Sequence, residues 1–194
     1  FIKLHISLNI FKLRHICVFS IINLMESNKN LVFLGMMGSG KTTLGKIVSK
    51  KLNKNFIDID HEIEIREKMK ISELFLKKGE PFFRKLEEKI SLQNLKKKNT
   101  VISLGGGAFI NKKIQSEVLK NHVSFWLKWD NKNLINRIKN SQKRPIAIQL
   151  SDNDLNKLID KRSKIYAKAN YQIKCDKLSK IEIVNKIMEL NEKD

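Results

Sequence analysis

The sequence predicts an α/β fold: a parallel sheet with helices on both faces. Three observations predict it. Short continuous apolar runs such as Leu31-Val32-Phe33-Leu34 suit strands buried on both faces. Apolar residues between such runs fall at helical spacing, as Leu44, Ile47, Val48 and Leu52 do. The two patterns alternate along the chain, which favours parallel strands joined by crossover helices. A length of 194 residues suits one domain with a sizeable core, and an apolar fraction of 41% excludes a disordered chain. No internal repeat or Gly/Ser-rich linker divides it.

The elements follow in order. Leu31–Leu34 is the first strand and Lys41–Leu52 an amphipathic helix. Phe56–Ile59 is a second short strand. Residues 62–69 and 71–98 read as mostly helical, with a break near Gly79-Glu80-Pro81. Thr100–Leu104 is a third strand, 111–121 a helix, His122–Leu127 a fourth strand and 131–138 a helix. Residues 139–152 are polar, contain Pro145 and read as a mobile lid loop. A helix over 155–169, a fifth strand Tyr171–Lys174 and a last helix over 181–190 complete the chain.

The formal net charge is +19. A balance this basic favours phosphate-bearing partners and is compatible with nucleic acid. Lysine is spread along the whole chain, however, as in Lys77-Lys78, Lys96-Lys97-Lys98 and Lys112-Lys113, which is a solvated surface rather than one recognition stripe. Nucleic acid is therefore not an expected partner. Only Cys17 and Cys175 are present, without the short spacing of a zinc site or a disulfide framework; reduced thiols in a cytoplasmic protein fit best. Residues 1–24 are apolar but interrupted by Lys3, Lys12 and Arg14, with no uncharged run long enough for a transmembrane helix. This leader is compatible with a signal or organelle-targeting segment; the preferred expectation is that Met25 is the native start, with a single domain over 25–194. No membrane association is expected.

Gly35-Met36-Met37-Gly38-Ser39-Gly40-Lys41-Thr42 fits G-x-x-x-x-G-K-[ST]. Glycines let the backbone wrap so that its N–H groups converge on phosphate oxygens, and the helix that starts there presents its positive dipole end. Lys41 is expected to reach the β- and γ-phosphates, and the Thr42 hydroxyl to bind Mg²⁺. A buried-strand pattern precedes the loop and an amphipathic helix follows, which is the context the motif requires. The motif establishes a nucleotide without saying what receives the phosphate.

Candidate acceptor groups lie elsewhere. Asp58 and Asp60, two apart at the end of the second strand, are expected to point to the same side, toward the crevice beyond the strand ends. A carboxylate there can hold Mg²⁺ through water or accept a hydroxyl proton; Asp60 could equally cap the following helix. Arg84 sits in Phe82-Phe83-Arg84-Lys85-Leu86-Glu87, three residues before Glu87. It is either half of a surface ion pair or a guanidinium fork for a substrate carboxylate. Gly105-Gly106-Gly107 follows the third strand, and three glycines allow a ligand close to the backbone. Arg137, Arg144-Pro145 in the lid, and Arg162 with Tyr166 one turn later supply further cations. Lid arginines can close over ATP and offset the charge that moves with a phosphoryl group.

Taken together, the run GMMGSGKTT, Asp58-Ile59-Asp60, FFRKLE, the Gly105–Gly107 triplet, Arg144-Pro145 and Arg162-Ser163-Lys164-Ile165-Tyr166 resemble the shikimate kinase family in order and approximate spacing, across essentially all of residues 30–190. The resemblance implies a three-layer P-loop fold like that of nucleoside monophosphate kinases, with five parallel strands in the order 2-3-1-4-5. It implies transfer of the ATP γ-phosphoryl group to the 3-hydroxyl of shikimate, on the route to chorismate and aromatic amino acids, by a monomeric cytoplasmic enzyme using Mg²⁺. By position, Gly38, Ser39, Gly40, Lys41, Thr42 and Thr43 would hold the nucleotide, with Arg137 near adenine. Thr42 and Asp58 would support the metal. Arg84 and Arg162 would grip the shikimate carboxylate, Gly105, Gly106 and Gly107 would line its site, and Asp60 would hold the ring hydroxyls and act as base. Lys41 and Arg144 would offset charge in the transfer.

The chain departs from the family pattern in two places. The lid reads Arg-Pro-Ile-Ala where leucines often follow the proline. Cys175-Asp176-Lys177-Leu178-Ser179-Lys180 lacks the usual threonine and proline, leaving adenine contacts from this loop open. The rival functions are another kinase on the same scaffold, acting on gluconate or a nucleotide, and a basic nucleic-acid-binding protein that retains a nucleotide loop.

Overall fold

The computed structural model describes residues 29–140 and 150–193; the leader and Arg144 lie outside them. Five strands form one sheet: β1 (Leu31–Leu34), β2 (Asn55–Asp58), β3 (Thr100–Ser103), β4 (Val123–Lys128) and β5 (Tyr171–Lys174). Their order is β2-β3-β1-β4-β5, and every neighbouring pair is parallel. Leu31 of β1 lies opposite Val101 on one side and Val123 on the other, so the strand with the most continuous apolar run is central and fully buried. The α/β expectation and the strand order are both met.

The pleat sends alternate side chains into two cores. Val32, Leu34, Ile102 and Trp126 pack on one face with Leu86 and Ile90 of α3 (Ile71–Leu95), Ile114 and Val118 of α4 (Lys112–Asn121), Leu134 and Ile138 of α5 (Asn131–Lys139), and Leu155 and Ile159 of α6 (Asp152–Tyr166). Leu31, Phe33, Val101, Phe125 and Ile173 pack on the other with Leu44 and Val48 of α1 (Lys41–Lys51) and Ile183 and Ile187 of α7 (Lys180–Asn191). Helix α2 (Ile59–Glu67) adds Ile59 and Ile63 to the first core.

The local punctuation agrees with helix-start chemistry. Side chains of Asp58, Asn111, Asp130, Ser151 and Ser179 accept from backbone N–H groups at the starts of α2, α4, α5, α6 and α7. Helix α3 breaks at Gly79 (φ 76°, ψ 167°), two residues before Pro81, where the sequence placed a break. Helix α5 runs on to Lys139 and α6 begins at Asp152, so both ends of the expected lid are helical, and Lys139 and Asp152 form an ion pair across it. Among the described residues no helix is long and apolar enough to cross a membrane.

Because all strands run the same way, their carboxyl ends share one edge of the sheet. The phosphate loop leaves β1 there, Asp58 ends β2, the glycine triplet follows β3, Trp129 follows β4 and Cys175-Asp176 follows β5. Ligand crevices form at such edges.

Candidate active site

The phosphate loop runs from the buried end of β1 into α1. Gly40, immediately before the helix, has φ 95°, a conformation that side chains resist. Lys41 is 7% exposed, and its Nζ donates to the carbonyls of Gly35 (2.8 Å) and Met36 (3.0 Å), so the ammonium is held across the mouth of the loop. Thr42 and Thr43 are exposed on the first turn.

Thr42 Oγ1 donates to Asp58 Oδ2 at 2.5 Å. The other oxygen of Asp58 accepts from the N–H groups of Asp60 (3.1 Å) and His61 (3.4 Å), so Asp58 is both strand end and helix cap. This corrects the expected local geometry. Strand β2 ends at Asp58, and Asp60 lies in the first turn of α2 and is not its cap. Strand alternation therefore does not decide where Asp60 points. The cap turns the chain within one residue, and the helix directs the carboxylate.

It is directed at the glycine triplet. A methyl group at Gly105 would lie 2.8 Å from Asp60 Oδ1 and 2.5 Å from Glu87 Oε1. One at Gly107 would lie 2.5 Å from Arg84 Nη1 and 3.0 Å from Arg84 Cζ. At Gly106 it would lie 3.7 Å from Arg162 Nη1, 3.3 Å from the Met37 nitrogen and 3.8 Å from the Gly35 carbonyl oxygen. Side chains from α2, α3 and α6 and the backbone of the phosphate loop thus meet over three consecutive residues. A Cβ at Gly105 or Gly107 would displace the ends of the Glu87, Asp60 or Arg84 side chains from where they now sit.

Arg84 is held from two sides. Its Nη1 donates to Glu87 Oε2 at 2.7 Å, and its Nε and Nη2 both donate to Glu80 Oε1 at 3.0 Å. Burial works against its charge, but Glu87 and Glu80 prevail and raise its pKa. Burial pushes the Glu87 carboxyl above the usual range, with Asp60 adding to the effect and Arg84 and Arg162 opposing it. Arg162 is different. Its buried Nε has no hydrogen-bond partner among the described residues, and Nη1 lies 3.6 Å from Met36 Sδ. A buried guanidinium N–H without an acceptor is costly, and an anionic ligand would supply one. One turn on, the Tyr166 hydroxyl donates to the Gly106 carbonyl and holds the triplet against α6.

On the other side of the phosphate loop lies a cleft of about 520 Å³ lined by Gly38, Trp129, Asn133, Asn136, Arg137 and Asp176. Arg137 Nε donates to the Gly38 carbonyl at 2.8 Å. Asp176 accepts from the Asp130 N–H and from the Asn133 amide, tying the loop after β5 to α5. Burial resists its charge, but these bonds keep its carboxyl below the usual range. Buried Cys175 beside it has its thiol pushed up to about 12, by burial and then by Asp176, with Arg137 opposing; it stays protonated.

The sequence singled out Asp58, Asp60, Arg84, Gly105–Gly107, Arg137 and Arg162, and the structure gathers all of them around the phosphate loop. It adds Glu80, Glu87 and Trp129. The i, i+3 spacing of Arg84 and Glu87 was the available signal for the second of these; nothing local marks Trp129. Among the described residues no group of three or more His, Cys, Asp or Glu side chains forms a metal cage.

The shikimate kinase family model matches residues 37–192. The chain belongs to the shikimate kinase family. Shikimate kinase from Persephonella marina is 37% identical over 160 residues, covering 82% of this chain and 97% of the relative. Among solved structures, shikimate kinase from Bacteroides thetaiotaomicron aligns with a TM-score of 0.76 at 34% identity, over 84% of this chain and 98% of that one. Shikimate kinase from Acinetobacter baumannii in complex with shikimate aligns at 0.81 with 27% identity, over 88% and 97%. In this shikimate kinase family member the sheet order and the single-sheet architecture are those expected of a P-loop kinase.

Proposed function

We infer that this shikimate kinase family member transfers the γ-phosphoryl group of ATP to the 3-hydroxyl of shikimate, giving shikimate 3-phosphate and ADP, on the way to chorismate and the aromatic amino acids. The observation that carries the reading is the meeting at Gly106, where the backbone of the phosphate loop and the Arg162 guanidinium approach one residue whose neighbours touch Asp60, Glu87 and Arg84. Two guanidinium groups beside a phosphate loop suit an acceptor that carries a carboxylate; an uncharged polyol would offer the buried Arg162 Nε no anionic acceptor.

Arg84 and Arg162 bind that carboxylate, and Gly105, Gly106 and Gly107 let the ring lie against the backbone. Asp60 orients the attacking hydroxyl and accepts its proton. Lys41 and the loop N–H groups of Gly38–Thr43 hold the phosphates, and Arg137 borders the base in the cleft beside Trp129. Arg144, expected from the resemblance to offset charge in the transfer, lies outside the described residues.

Thr42 Oγ1 and Asp58, hard oxygen donors 2.5 Å apart beside the loop, fit Mg²⁺ held by few protein groups and the phosphates. When bound, the cation offsets negative charge on the phosphate oxygens. The work of the protein is then alignment and charge stabilisation. We place the enzyme in the cytoplasm, as a monomer acting on small molecules, with neither nucleic acid nor membrane as partner.

The test is ATP turnover with shikimate, gluconate or a nucleoside monophosphate as acceptor, with the product identified by phosphorus NMR. Shikimate alone should drive ADP release and give a phosphomonoester at the 3-position. Turnover with gluconate or a nucleotide and none with shikimate would overturn the assignment.

A further inference from the structure

Trp129 follows β4 directly and packs between both cores. Its indole Nε1 donates to the Ser39 carbonyl at 2.9 Å. The Arg137 guanidinium lies over its ring, with Cζ 4.3 Å from the centroid, while Arg137 Nε donates to the Gly38 carbonyl. Two successive carbonyls of the phosphate loop are therefore held by one stacked indole–guanidinium pair.

The consequence follows from peptide geometry. In a trans peptide the C=O and N–H point in opposite directions, and no described peptide is cis. Holding the Ser39 carbonyl toward Trp129 turns the Gly40 N–H away from the indole. Holding the Gly38 carbonyl toward Arg137 turns the Ser39 N–H back into the loop, where it donates to the Met36 carbonyl at 3.2 Å. Left alone, this stretch would be soft. Gly38 and Gly40 flank Ser39, and both have positive φ; the Ser39 hydroxyl is buried with no hydrogen-bond partner among the described residues, which leaves the backbone bonds to hold the peptide. The brace comes from β4 and α5 instead.

We propose that Trp129 is a positioning residue for ATP: its indole N–H and its ring, through Arg137, fix the Gly38–Gly40 peptides so that the Gly40 N–H is oriented for phosphate before the nucleotide arrives. This rests on the reading of the chain as an ATP-dependent kinase and adds a residue to its nucleotide site. Preorganised donors avoid reorganisation on binding.

The test compares Trp129→Phe, which keeps an aromatic face for Arg137 but removes the N–H, with Trp129→Leu, which removes both. Trp129→Phe should weaken ATP about fivefold, the worth of one hydrogen bond, and Trp129→Leu should weaken it further. In both, kcat and the KM for shikimate should stay within about twofold of wild type, because the acceptor cluster is on the other side of the loop. ATP affinity is also measured by calorimetry without acceptor, so it reads the brace even if wild type proves inactive on shikimate, which would sink the functional reading alone. Nucleotide should change the tryptophan emission of wild type and leave that of Trp129→Phe, whose remaining Trp126 is buried, unchanged. Wild-type ATP affinity in Trp129→Phe would overturn the proposal. So would an equal loss for ATP and shikimate together with a lowered melting temperature, since that is general destabilisation.

Discussion

Glu87 Oε2 lies 2.7 Å from Arg84 Nη1, while Oε1 of the same carboxylate fills the space where a side chain on Gly105 would begin. Glu87 is 3% exposed. The buried glutamate aims Arg84 and at the same time faces Asp60, so the proposed acceptor site is held from one side by a buried carboxylate. Removing one partner of such a pair leaves the other uncompensated.

The pH behaviour follows from the sign of the Glu87 shift. Its carboxyl is raised by burial and by Asp60, so it takes up a proton on acidification before an ordinary glutamate would. The hold on Arg84 weakens at that point. The KM for shikimate should therefore rise as pH falls through a window above the usual carboxylate range, while the KM for ATP changes little. In Glu87→Gln the shikimate KM should be high, by roughly 10- to 100-fold for a lost charge-assisted bond, and nearly flat over the same pH range.

Gly107→Ala tests the close approach. The new methyl would sit 2.5 Å from Arg84 Nη1, so the guanidinium must move. Overpacking of this kind costs about 1–3 kcal/mol. Steady-state kinetics should show the shikimate KM rising roughly 5- to 100-fold with ATP KM preserved.

The two duties of Asp58 can be separated. Asn caps helices about as well as Asp, so Asp58→Asn should keep the melting temperature near wild type while shifting the Mg²⁺ dependence of turnover to higher concentration. Asp58→Ala should do the same to the metal dependence and also lose about 1 kcal/mol of stability in urea unfolding.

His122 gives a prediction away from the site. Both ring nitrogens are buried without hydrogen-bond partners among the described residues, with Glu117 3.7 Å from Nε2. Burial lowers its pKa below 6.5, and Glu117 opposes this only in part. The unfolded chain therefore takes up the proton first on acidification. Stability contributed by neutral His122 is complete above about pH 6.5 and is lost as pH falls through that value toward the lower folded pKa. Urea midpoints measured from about pH 8 to about pH 5 should fall less steeply for His122→Gln than for wild type.

The fold was legible because its signals are local: apolar runs of strand length, helical spacing, glycine at the phosphate loop and at the α3 kink. Alternation along a strand predicts that Asp58 and Asp60 share a face, and a cap at Asp60 is the alternative; instead Asp58 ends β2 by capping α2, and Asp60 is carried by the first turn of that helix. The link from Glu87 to Asp60 and Gly105 was hidden because it depends on how α3 packs against the strand ends, which spacing along one helix does not encode. Trp129 was hidden more deeply: a tryptophan after a strand reads as core, and its bond to Ser39 spans 90 residues of chain.

The most direct measurement is ADP release by wild type and Asp60→Asn, each with and without shikimate, alongside ATP affinity. The account predicts release that depends on shikimate in wild type and a fall of about 10²- to 10⁴-fold in Asp60→Asn, with ATP bound equally well by both. Turnover by Asp60→Asn at the wild-type rate, or ADP release indifferent to shikimate, would contradict it.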